Sequence, residues 1–169
     1  MQFNREYIII LAILGIALLY QYYYLATTEK NVLQLWGRIK GTLLNVYYVS
    51  MFLSAFGFLV FFYYLFISNS FSSSEITKMF IALLLIIIIS MFWMPLSFSY
   101  LKKKSDLLKY LIILVLFLVS VATLYLIYVL YNVKEQKYIT NKNTALAGMI
   151  YFFIHAFFFD CTTWSYNFF

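Results

Sequence analysis

Five long apolar runs, separated by short polar segments, dominate this chain: Tyr7–Ala26, Leu43–Ile67, Ile76–Tyr100, Tyr110–Tyr131 and Ala145–Phe169. A hydrocarbon core of about 30 Å needs roughly 20 helical residues at about 1.5 Å each. Every run reaches that length. The pattern predicts an all-α fold: a polytopic membrane helical bundle of five transmembrane helices, with residues 1–169 forming a single integral membrane domain.

The polar segments carry their own signals. Between the first two runs, Val32, Leu35, Trp36, Ile39 and Leu43 recur at three- and four-residue spacing. This predicts an amphipathic interfacial helix within Thr27–Thr42, capped by Thr27 or Thr28, or else a helical extension of the second span. Gly37 and Gly41 have G-x-x-x-G spacing but lie among Arg38 and Lys40, outside any apolar run. In the second loop, Ser72 followed by Glu75 matches a capping box, with Ser73 and Ser74 as competing caps. Pro95 lies near the far end of the third run, where loss of its N–H predicts a kink or stop beside Trp93–Met94. The fourth loop, Asn132–Thr144, is the most polar stretch. At the N-terminus, Arg5 precedes an apolar stretch as in a secretory signal. No small-x-small site ends that stretch, and its length suits a retained span.

Composition agrees with the pattern. The chain is 65% hydrophobic and 11% charged, too few charges to solubilise a core of this size. The net charge of +6 comes from cations spread over the loops, where they flank membrane spans, and is not a nucleic-acid signature. The N-terminus, second loop and fourth loop carry five cations: Arg5, Lys78, Lys134, Lys137 and Lys142. The first and third loops carry seven: Lys30, Arg38, Lys40, Lys102, Lys103, Lys104 and Lys109. The excess places the first and third loops and the C-terminus in the cytosol, and the N-terminus outside. A single cysteine, Cys161, excludes an internal disulfide.

Ionisable groups inside spans are costly and are functional candidates by default. His155, the only histidine, lies mid-span in the fifth run, about 15 Å from its start. Asp160 lies about 22 Å from that start, near the far interface. Five residues correspond to about 140° around an α-helix, so the two are expected on different faces. His155 is expected to face the bundle interior with Tyr151, Phe158, Phe159 and Thr162. Asp160 is expected to reach the C-terminal interface near Trp164 and Asn167. His155, Asp160 and Cys161 cannot converge from one helix into a nucleophile–base set. One histidine cannot supply a metal cluster or bis-histidine haem ligation. Lys78 and Lys109 sit at helix starts, not where a retinal Schiff base needs a lysine. No phosphate-binding glycine loop occurs. These readings argue against an enzyme and imply no cofactor.

Tyrosines cluster at span ends, as at Tyr22–Tyr24, Tyr47–Tyr48, Tyr63–Tyr64 and Tyr128–Tyr131. They read as an interfacial aromatic belt or as the lining of a cavity for a flat apolar ligand. Gln21, Asn45, Ser50, Ser54, Ser90, Ser97, Ser120 and Thr123 are the polar groups within spans, expected to hydrogen-bond between helices.

Ser90-Met-Phe-Trp-Met-Pro-Leu96, with Trp164-Ser-Tyr-Asn167, resembles uncharacterised multi-pass membrane proteins of algae and large DNA viruses. The five spans and the Trp93-x-Pro95 step, with Phe98 beyond, also resemble the translocator protein family, which implies binding of tetrapyrroles or sterols. That family's first loop is rich in tryptophan and proline, whereas this one has Trp36 and no proline. Candidate ligand or packing residues are therefore His155, Asp160, Trp93, Pro95, Trp164 and Asn167. The expected role is a non-catalytic structural or accessory component of a membrane complex, with a membrane-protein partner or as a homo-oligomer. The alternative is a binder or carrier of an apolar molecule or lipid in an aromatic cavity. A small oligomeric channel ranks third, because only His155 could supply a mid-span polar ring. A pocket enclosed by Trp93, Trp164 and tyrosines would favour binding. A filled core with an exposed groove would favour assembly.

Overall fold

The computed structural model describes residues 2–68, 71–134 and 139–169, with the side chain of Ile139 excepted. Those residues form α1 (Arg5–Thr28), a 3-10 turn (Val32–Trp36), α2 (Thr42–Ile67), α3 (Ser73–Lys103), α4 (Asp106–Asn132), α5 (Ile139–Ile154), a π-helical segment (His155–Trp164) and α6 (Ser165–Phe168). The last three are continuous, and five helices in all are long and apolar enough to cross a membrane. Among the described residues there is no strand.

Two antiparallel pairs make the frame: α3 packs extensively on α4, and α2 on α5, while α1 lies against α3. Only Leu11 of α1 is buried. Ile9, Ile13, Ile16 and Leu19 face outward, as on a helix whose surroundings are themselves apolar. Gly57 and Gly148 set the α2–α5 distance. A Cβ on Gly57 would lie 2.6 Å from the Gly148 carbonyl oxygen, and the reverse holds equally. Small residues at such crossings let backbones touch, which compensates in lipid for the missing hydrophobic drive between helices.

Local chemistry explains the ends. Asn4 caps α1 by accepting from the Glu6 N–H at 3.0 Å. Ser72 and Glu75 form the expected capping box, each side chain accepting from the other's backbone N–H. Asn69 and Ser70 of that loop, and Glu135 and Lys137 of the fourth, lie outside the described residues.

Three expectations are corrected. The segment after α1 is not an α-helix over Thr27–Thr42. It is a five-residue 3-10 turn, bounded by Gly37 at φ 53° and preceding Gly41 at φ 59°. Thr27 and Thr28 end α1 instead, their hydroxyls donating to the Tyr23 and Tyr24 carbonyls. The apolar positions of the motif still act together, since Leu35 and Ile39 are buried against the bundle. Pro95 does not stop the third span, because α3 runs unbroken from Ser73 to Lys103. Just before the proline, the Ser90 carbonyl accepts from the Tyr22 hydroxyl at 2.7 Å, which ties α1 to α3. Finally, Ser90, Ser97, Ser120 and Thr123 donate back to carbonyls of their own helices rather than across to others.

Candidate functional site

The α2–α5 pairing positions the site. Ser50 precedes Gly57 by seven residues and His155 follows Gly148 by seven. Seven residues are about two turns, so the antiparallel crossing that brings the glycines together also brings Ser50 to His155. Ser50 Oγ lies 2.9 Å from His155 Nδ1. The Tyr151 hydroxyl, one turn before the histidine, donates to Ser50 Oγ at 3.3 Å. His155 is 7% exposed, facing the interior as expected.

Beyond His155 the helix changes pitch. Residues 155–164 are π-helical, with Thr163 Oγ1 donating to the carbonyl five residues back. In this wider pitch residue i+5 swings back toward the side of residue i instead of lying about 140° away. Asp160 therefore shares a face with His155, and its Oδ1 lies 3.5 Å from His155 Nε2. The expectation of separate faces is wrong for this reason. Asp160 points inward rather than away from the bundle, and its Oδ1 also accepts from the Tyr47 hydroxyl. The same change of pitch turns Phe158 and Thr162 outward, against expectation, while Tyr151 and Phe159 stay on the inner side.

These groups close one end of a cavity of about 340 Å³. Every spanning helix contributes to it, along with the 3-10 turn. Its walls include all three tryptophans of the chain, Trp36, Trp93 and Trp164, together with Tyr22, Tyr47 and Phe152. Trp36 packs edge-on against Tyr47, Tyr22 against Trp93, and Trp93 against Trp164, with ring centroids 5.3, 5.7 and 5.3 Å apart. Such edge-to-face contacts hold ring orientations as well as burying area. Trp164 Nε1 donates to the Leu35 carbonyl at 2.7 Å, pinning the 3-10 turn over the cavity. Trp93 Nε1 is buried and has no acceptor among the described residues. The second oxygen of Asp160 likewise has no protein donor among them, and the side chain keeps 31% of its surface accessible beside the cavity.

Of the sequence-derived candidates, His155, Asp160, Trp93 and Trp164 meet at this cavity. Pro95 and Asn167 do not line it. Asn167 anchors the cover instead, its carbonyl accepting from the Arg38 N–H at 3.0 Å. Tyr22 and Tyr47 were legible as belt or cavity-lining tyrosines and Ser50 as a packing residue, without the partners they meet here. Their role depends on partners 105 or more positions away for Ser50 and Tyr47, and 68 for Tyr22. No group of three or more metal-ligating side chains occurs among the described residues. The chain was compared with protein-family models, curated proteins and solved structures, and none matches it.

Proposed function

We propose that this protein is a non-catalytic intramembrane binder or carrier of a small molecule with an apolar body. The observation that carries this reading is the aromatic cavity of about 340 Å³ containing a buried indole N–H without an acceptor among the described residues. A volume of that order takes a small organic ligand, and a few convergent polar groups among aromatic walls are what fix its orientation. A core shaped only for stability would fill such a space, because each unfilled methyl-sized void costs about 1 kcal/mol. The cavity lies toward the first and third loops, on the side that the cation excess assigns to the cytosol. The C-terminus is then cytosolic and the N-terminus outside.

The test is purification in mild detergent, followed by native mass spectrometry and lipid extraction. The expected result is one small molecule retained at near-stoichiometric amount and lost in Ala26→Phe, which fills the cavity wall. A parent protein that retains nothing, with an Ala26→Phe variant of increased stability, would point to a void without an occupant and remove the reading.

A second reading, an accessory subunit of a membrane complex, draws on a shallow apolar groove between α4 and α5, lined by Leu124, Tyr128, Leu146 and Ile150 among others. Pull-down from native membranes with the groove variant Ile150→Trp decides it: a partner held by the parent and lost by the variant supports assembly.

A further inference from the structure

We propose that the occupant of the cavity is an organic cation, an apolar or aromatic body carrying a protonated amine whose N–H is received by the free oxygen of Asp160. This rests on the binding reading above and names its ligand class.

The polar groups at the cavity are arranged unevenly. Both protein groups that approach the carboxylate, the Tyr47 hydroxyl and His155 Nε2, meet Oδ1. Oδ2 is engaged by no donor among the described residues, although the side chain borders the cavity. Among its described lining residues there is no lysine or arginine, and Asp160 is the one carboxylate. An anionic ligand would meet that carboxylate with no cation to offset it, and a neutral alcohol would leave the low-dielectric carboxylate weakly compensated. An ammonium supplies both the charge and a donor, and charge-assisted hydrogen bonds are roughly twice as strong as neutral ones. Trp36, Trp93, Trp164 and Tyr47 line the same space, and aromatic rings attract cations where a face is open to them. The unpaired Trp93 N–H adds one requirement: a neutral acceptor oxygen elsewhere on the ligand.

Three probes with one body and different heads test this: 4-(4-methoxyphenyl)butylamine, the corresponding butanol and the corresponding butanoate. The full chain is placed in phosphatidylcholine nanodiscs, and empty discs give the partition background. Tryptophan fluorescence reports binding, because all three tryptophans line the cavity. The amine is expected to bind at least 10-fold more tightly than the alcohol, and the butanoate most weakly. Asp160→Asn is expected to cost the amine at least 10-fold and to change the alcohol less than 3-fold. If that variant does not fold, the order of the three heads on the unmodified protein decides the matter alone. Alcohol or butanoate binding as tightly as the amine, with that binding lost in Ala26→Phe, overturns the cation assignment and leaves the binding reading standing. Failure of all three probes to bind above the empty-disc background overturns both.

Discussion

Gly37 and Gly41 offer a measurement of how the cover over the cavity is held. Their backbones are nearly alike: Gly37 has φ 53° and ψ −117°, and Gly41 has φ 59° and ψ −133°. An alanine at either position is forced into a region that L-residues avoid, at about 1–3 kcal/mol. The surroundings differ. A Cβ on Gly41 meets nothing within 4 Å, whereas one on Gly37 would fall 2.8 Å from Phe168 Cα and closer still to the Asn167 carbonyl oxygen. Those neighbours are backbone and cannot rotate away. Gly37→Ala must therefore push the 3-10 turn off the C-terminal helix. The displacement loses the Arg38 N–H to Asn167 carbonyl bond, worth about 1 kcal/mol, and adds overpacking of about 1–3 kcal/mol. Gly37→Ala should thus be about 2–4 kcal/mol less stable than Gly41→Ala, the shared backbone strain cancelling in the comparison. Reversible unfolding in mixed micelles of sodium dodecyl sulfate and a mild detergent, followed by far-ultraviolet circular dichroism, measures the difference. Equal stabilities for the two alanine variants would refute the close docking of this turn on residues 167–168.

The α2–α5 crossing should be similarly intolerant: Gly57→Ala and Gly148→Ala are each expected to cost about 1–3 kcal/mol, and the double variant less than their sum, because both substitutions open the same contact. In the same unfolding assay, additive costs would argue that the two glycines do not meet. The ion pair of Lys102 with Glu29, at 2.8 Å, is expected to contribute less than about 1 kcal/mol, since the lysine side chain is 58% exposed, so Lys102→Met should unfold nearly with the parent. For topology, a cysteine replacing Ser105 in a Cys161→Ser background should resist a membrane-impermeant thiol reagent applied outside intact cells, and prompt labelling would invert the assigned orientation.

How much was legible in the sequence follows from the range of each signal. Span length and apolarity are local, so all five helices could be read from their runs, and the Ser72–Glu75 cap from four adjacent residues. The inward placement of His155 was also legible, because an imidazole in hydrocarbon needs a partner. Pro95 does not end α3, because one missing N–H costs a single intrahelical bond and the apolar run continues on both sides of it. Leu35 and Ile39 were correctly grouped on one face, but the periodicity could not register the positive φ at Gly37 and Gly41, which makes the segment a tight cover rather than a helix.

The site itself was hidden by one number, the pitch of residues 155–164. With α geometry, Asp160 leaves the face of His155, Tyr47 loses its carboxylate partner, and the polar end of the cavity comes apart. With the i→i+5 pitch, one face gathers His155 and Asp160 while Phe158 and Thr162 turn outward. Nothing within the ten residues His155–Trp164 announces this choice, since each is compatible with an α-helix. Tertiary contacts outside the segment favour it: Tyr47 from α2 on Asp160, and the Leu35 carbonyl on Trp164. Both contacts would be displaced around the axis if the segment returned to α pitch. Wide turns of this kind are frequently found at functional sites, where the irregular backbone is kept for the side chains it aims. Here it aims Asp160 at the aromatic cavity.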